Sequence, residues 1–273
     1  MKKTAFLLLT ICATAVTYVS CSKGDEIVNQ TDTSAIGASV TFDATTEMEV
    51  KTGILVTSNT STLKSSESTP GICATIIVEK PTAEAYPKIF TVDFGTAGCK
   101  DNDITRKGKL KITLTGPITT TGSKMTIQRI DYSINDIKLE GTIIYTNATT
   151  EETVPKWTRK IENGKFTGLD GRVYTSTGSH TVKQTEGFAT LALADNVYEM
   201  TEGSHVVTTD RGASLTLTVQ ENLVKKYSCE FISKGKLKIE GGALNGVIDY
   251  GNNECDSKYT YTHESGATYA LGM

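Results

Sequence analysis

Beyond roughly the first forty residues, the chain alternates apolar and polar side chains with a period of two. Lys109-Leu110-Lys111-Ile112-Thr113-Leu114, Ser214-Leu215-Thr216-Leu217-Thr218-Val219 and Lys236-Leu237-Lys238-Ile239 each put their aliphatics on one face. That pattern predicts strands with one face buried. Thr, Val, Ile and Tyr recur throughout, and these residues suit a pleated, half-buried surface. After the amino-terminal stretch no segment carries an apolar stripe of period 3.6, so helix is expected to be scarce. Asn135-Asp136, Glu162-Asn163-Gly164 and Leu169-Asp170-Gly171 read as tight hairpin turns. The Ser/Thr-rich stretches from Ser58 to Pro70 and from Thr146 to Pro155 read as long exposed loops. Met125 and Ile127 share one parity, whereas Ile130, Tyr132 and Ile134 share the other. One extra residue near Gln128–Arg129 would reconcile them, which predicts a β-bulge. The expected fold class is all-β, an antiparallel meander forming packed or strongly curved sheets, with two β-sandwich domains as the alternative.

The start of the chain differs. Lys2 and Lys3 precede an apolar run from Ala5 to Val19, then Ser20 and Cys21, after which Ser22-Lys23-Gly24-Asp25-Glu26 turns polar. The run is shorter than the roughly 20 residues a spanning helix needs. The layout is that of a bacterial lipoprotein signal over residues 1–20, with Cys21 as the acylated first residue of the mature protein. An ordinary secretory signal is the alternative, because Tyr18 stands where Leu is more usual. Residues 21–38 lack periodicity and read as a flexible tether, leaving 39–273 as a β-rich ectodomain. The whole chain carries a charge of −3, and loss of the two signal lysines takes it to −5. An acidic ectodomain gives no electrostatic case for nucleic acid or anionic lipid.

Four cysteines remain for the ectodomain, Cys73, Cys99, Cys229 and Cys255, and an oxidising envelope predicts disulfides. Each of the two local pairs spans 26 positions. Val92-Asp93-Phe94-Gly95 with Cys99 matches Ile248-Asp249-Tyr250-Gly251 with Cys255 at an offset of 156. This suggests an internal two-fold repeat, units about 40–117 and 196–273, with one disulfide per copy. Pairing Cys73 with Cys229 and Cys99 with Cys255 is the alternative. The hexapeptide Lys-Gly-Lys-Leu-Lys-Ile occurs at both 107–112 and 234–239, an offset of 127. Both offsets cannot come from one duplication.

Candidate chemistry is sparse. His180, His205 and His263 stand apart in the sequence, without the spacing of a zinc site. There is no Gly-x-Ser-x-Gly elbow, and no thiol is left as a nucleophile once both disulfides form. Asp93 with Gly95, and Asp249 with Gly251, read as a repeated structural turn, each Asp accepting backbone hydrogen bonds. Their alternative roles, acid–base work or cation binding, are weaker, because catalysis seldom duplicates one residue in equivalent places. The acidic residues around Cys99 and Cys255 lack the spacing of a calcium loop. Trp157, just after a Pro-bearing loop, is the candidate ligand contact if its ring is exposed, and packing in the core is the competing role. No cofactor or metal is expected.

The series Asp93-Phe94-Gly95, Cys99, Arg106-Lys107-Gly108-Lys109, Gly122-Ser123, Tyr132 and Leu139-Glu140-Gly141-Thr142 resembles an uncharacterised family of Bacteroidota lipoproteins. The closing stretch Cys229, Ile248-Asp249-Tyr250-Gly251, Cys255-Asp256 and Gly266 extends the resemblance, which covers most of the chain from about Ile72 onward. It implies an envelope location and a β-rich ectodomain, and no activity. The acidic segment after Cys21 is similar to export signals of that phylum, which implies the outer face of the outer membrane. The periplasmic face is the alternative. The expected role is a binding or structural module rather than an enzyme, held to the membrane by acyl chains and contacting a glycan or another envelope protein. Carriage of an apolar ligand inside a curved sheet is the second reading.

Overall fold

The computed structural model describes residues 30–58, 67–68, 72–79, 85–101, 103–151, 154–190 and 192–273. The expected signal, Cys21 and most of the Ser58–Pro70 loop lie outside them. A helix, α1 (Gln30–Ser58), is followed by fifteen strands. These are β1 (Glu67–Ser68), β2 (Thr75–Glu79), β3 (Lys88–Asp93), β4 (Cys99–Asp101) and β5 (Ile104–Leu114). Next come β6 (Lys124–Ile134), β7 (Ile137–Asn147), β8 (Lys156–Thr167), β9 (Val173–Glu186) and β10 (Val197–Thr209). The last are β11 (Ser214–Lys226), β12 (Lys234–Glu240), β13 (Gly246–Asn252), β14 (Lys258–His263) and β15 (Thr268–Gly272). All belong to one antiparallel sheet. Fourteen follow each other in chain order, and β4 pairs with β5 off that path. The meander is therefore as expected, and it is one sheet rather than two sandwiches. Its end strands do not pair with each other, so it is open among the described residues.

The sheet curls around α1. Helix residues touch β5 (Thr52 to Arg106), β6 (Glu49 to Arg129), β8 (Glu47 to Arg159), β9 (Ser34 to Tyr174), β10 (Ser39 to His205) and β13 (Asp43 to Tyr250). The two expectations for this region need correction. Residues 30–38, expected in the tether, begin the helix, and Ala35, Ile36 and Ala38 are buried. Residues 39–58, expected to begin the β-rich body, continue it. The missing apolar stripe has a physical cause: a helix enclosed on all sides has no solvent face for polar residues to mark. Its many β-branched residues are poor helix formers, so packing rather than propensity maintains it. The Thr45, Thr52 and Thr57 hydroxyls donate to helix carbonyls three or four residues back, which lets them be buried.

Curvature comes from a line of bulges across the middle of the sheet. The pairing register shifts between Lys107 and Lys109, Gln128 and Tyr132, Glu140 and Thr142, Ile161 and Gly164, Met200 and Glu202, and Lys234 and Lys236. Each bulge bends its strand and raises the local twist. The bulge expected near Gln128–Arg129 belongs to this line, with Asp131 at φ 48°. Glu162-Asn163-Gly164 is a bulge inside β8 and not the expected hairpin turn. Asn163 has φ 51° and faces Gly141, where a Cβ would come within 2.4 Å of the Asn163 carbonyl oxygen. Asn135-Asp136, both at positive φ, and the turn before β9 are hairpin turns as expected.

Cys73 pairs with Cys99 and Cys229 with Cys255, with Cα separations of 5.8 and 5.2 Å. The two proposed repeat units are not alike. Residues 40–58 are helix, whereas the positions 156 further on hold β10. A smaller unit does recur. Asp93 on β3 faces Lys109 on β5, and Asp249 on β13 faces Lys236 on β12, so the Asp-bearing strand comes first in one pair and second in the other. The two strand pairs are related by half a turn in the plane of the sheet. That reversal accounts for the two conflicting offsets, and it puts the disulfides at opposite rims.

Two buried ion pairs fasten helix to sheet. The Arg129 Nε–H is shared between both Glu49 carboxylate oxygens, at 2.9 and 3.0 Å, with both side chains excluded from solvent. Arg159 bonds Glu47 and approaches Asp43 at 3.5 Å. Removing one member strands a buried charge, at a cost of about 3–5 kcal/mol, whereas replacing both with packed apolar residues is often nearly neutral. Glu49→Leu is therefore expected to lower unfolding free energy by about that amount. The double variant Glu49→Leu/Arg129→Met should recover most of it. Urea denaturation of the three proteins checks this.

Candidate functional site

Polar side chains gather in an enclosed cluster and, among other open places, in a cleft at one rim. The enclosed cluster lies between α1 and the middle of the sheet. Neighbouring strands β8, β9 and β10 supply Arg159, His180 and His205, and α1 supplies Ser39, Asp43 and Glu47. The two histidine rings are 5.4 Å apart, centre to centre. Far apart in sequence, they meet because β9 and β10 pair with register Gly203 to His180 and His205 to Gly178. Sequence spacing carried no signal for this. Arg159 Nη2 donates to His180 Nδ1 at 3.1 Å, which places the His180 proton on Nε2. His205 Nε2 meets the Ser39 hydroxyl at 3.1 Å and the Asp43 carboxylate at 3.7 Å.

Burial, reinforced by Arg159 and His205, pushes His180 down to about 2. Burial also lowers His205, against the pull of Asp43 and with the help of Arg159. Both imidazoles are thus neutral at ordinary pH. Burial pushes Glu49 up, opposed by Arg129 and Arg106, and pushes Lys225 down to about 8. The interior gap beside Glu47, Lys225 and Tyr227 holds about 20 Å³, space for little more than a water. α1 therefore occupies the volume in which an apolar cargo would have to sit. Among the described residues no three His, Cys, Asp or Glu side chains gather as a metal would require.

The open site is a cleft of about 600 Å³ at one rim, walled by the connections β5–β6, β7–β8 and β9–β10. Its floor is fixed by amide side chains. Asn147 Nδ2 donates to the Ile118 carbonyl and its Oδ1 accepts from the Thr149 N–H, both at 2.8 Å. Gln184 Nε2 donates to Asn196 Oδ1 at 3.1 Å, and Asn196 Nδ2 to Tyr198 Oη at 2.9 Å. Trp157 forms part of the lining, yet it does not offer the open face expected of a ligand platform. It is 6 % exposed, stacked on Tyr145 at 5.6 Å with Tyr198 edge-on, and its Nε1 donates to the Ile118 carbonyl. Phe188, 56 % exposed, is the aromatic that does face outward there.

The remaining sequence candidates are structural in geometry. Asp93 and Asp249 each accept from the N–H two residues on, Gly95 and Gly251, at 2.9 Å. Each also pairs with a strand lysine, Lys109 at 2.8 Å and Lys236 at 3.7 Å. The Lys109 contact and then the Gly95 N–H hold Asp93 below its usual range. The two carboxylates lie on well-separated strands, β3 and β13, and do not form a pair. His263 is half-buried and bonds Ser265 and the Ala243 carbonyl. No protein-family model, curated protein or solved structure matches this chain.

The histidine pair makes stability depend on pH. Both folded-state values lie below the unfolded value of about 6.5, so the unfolded chain binds more protons once pH falls below that point. Stability is then lost as pH falls through about 6.5, by up to about 1.4 kcal/mol per histidine per pH unit. The melting temperature is expected to drop between pH 7.5 and pH 5. His180→Gln/His205→Gln should melt lower at pH 7.5 but show a shallower pH slope. Glu49 acts with the opposite sign and is common to both proteins, so the difference in slope isolates the histidines.

Proposed function

We propose that this protein is a lipid-anchored envelope lipoprotein that presents a rigid binding module to the outside of the cell. The observation that carries the reading is the opposite placement of its two ends. α1 begins beside the β8–β9 hairpin, where Ser34 bonds Arg172 at 2.6 Å and Tyr174 at 3.0 Å. In an up-and-down meander that hairpin belongs to one rim, and the polar cleft belongs to the other. An anchor at Cys21 is nine positions from Gln30, a contour of at most about 32 Å. Acyl chains there would hold the first rim to the membrane and turn the cleft away from it. Two chains suffice for lasting attachment, at about 0.8 kcal/mol per buried CH₂. The resemblance to Bacteroidota lipoproteins and the acidic segment after Cys21 support the same orientation. A filled interior favours binding at the rim over carriage of an apolar ligand within the sheet.

Mass spectrometry of the protein from its native envelope is expected to find Cys21 as an acylated amino terminus, and protease treatment of intact cells is expected to degrade the ectodomain. An unmodified amino terminus would overturn the anchor. Complete protection in intact cells, with cleavage only after lysis, would overturn the outward orientation.

A further inference from the structure

From the chemistry of the rim cleft we infer that its ligand is a neutral oligosaccharide. This rests on the binding-module reading above and adds the class of ligand. The first observation is charge. Among the described residues, no Lys, Arg, Asp or Glu lines the cleft. A site for a phosphate, a uronate or a sulfated sugar would need a cation to offset desolvation, and none of the described lining residues supplies one.

The second observation is hydrogen-bonding capacity. The floor amides of Asn147 and Asn196 are spent on holding the loops. Gln184 uses its NH₂ group in the same way, on the Glu186 carbonyl and Asn196. That leaves the Gln184 carbonyl oxygen and the exposed hydroxyls of Thr119 and Thr150 without a protein partner among the described residues, grouped around one cavity. These are neutral acceptors and donor–acceptors, matched to sugar hydroxyls, which both give and take hydrogen bonds. The third observation is the apolar side. Phe188, with Leu193 and Pro155, offers an uncharged surface on which the C–H face of a pyranose can pack. Sites for small molecules combine such a wall with a few fixed polar groups, and here three loops are tied together before any ligand arrives.

The test is an array of neutral and acidic glycans probed with the mature chain, followed by calorimetric titration of the best neutral binder. Binding is expected for neutral glycans. Phe188→Ala is expected to weaken it roughly tenfold, with Phe188→Trp restoring it, because one aromatic face is lost and regained. Thr119→Val/Thr150→Val should weaken it several-fold. All three variants should melt with the unaltered protein, since the changed groups are exposed. Retention of acidic glycans alone, no glycan bound at all, or equal affinity in Phe188→Ala would overturn the inference. None of these results touches acylation or cell-surface exposure, which are read separately, so the ligand class can fail while the anchored module stands.

Discussion

Carboxylates from a helix and guanidinium groups from a sheet meet in the buried interior. Asp43, Glu47 and Glu49 all project from α1, while Arg129 and Arg159, their partners, stand on β6 and β8. Neither half could bury its charges alone. A helix carrying three unpaired carboxylates would stay in water, and a sheet lining its concave face with arginines would have nothing to close around. Pairing makes the two halves conditional on each other. It also sets the depth and rotation of α1, because a helix turned by one residue would move Glu47 and Glu49 away from their arginines.

The bulges serve that enclosure. A regular sheet of fourteen antiparallel strands would twist but would not wrap a single helix. A row of extra residues running from β5 to β12 bends each strand at about the same level. The row also decides which side chains enter. On β6, Arg129 points inward with Met125 and Ile127, and the bulge after it lets Tyr132 and Ile134 point inward too. Without the extra residue, either the arginine or the two core residues would face solvent.

Filling the interior has a consequence for function. The concave face, where many curved sheets hold ligands, is committed to stability here, and its histidines are kept neutral by burial rather than tuned for exchange with solvent. Chemistry available to an outside molecule lies on the outer face and at the rims, and the rim far from the start of α1 has the fixed cleft, uncharged among the described residues. The disulfide Cys229–Cys255 closes over connections at that same rim, and Cys73–Cys99 does so at the other. Both bridges span loops of a size that contributes about 3–4 kcal/mol in the chain-entropy account.

The strands were legible in the sequence because a half-buried strand writes its burial as alternation, one residue in and one out. The local disulfide spacing, the Asn135-Asp136 turn and the bulge in β6 were legible for the same kind of reason: each is a constraint between near neighbours. The helix was not. Enclosed on every side, it needs no stripe, and its threonines and valines argue locally for strand; only the surrounding sheet makes helix the better state. The histidine pair, the Arg159 cluster and the cleft were equally hidden, since each is assembled from strands or loops distant in the chain. Trp157 shows the limit most clearly. Its position after a loop suggested exposure, but Tyr145 and Tyr198, one and two strands away, pack against its ring, and the outward aromatic became Phe188. Sequence determined which residues could be inside a strand; tertiary structure decided what the inside contained, because burial of a charge or a ring depends on partners that no local pattern names.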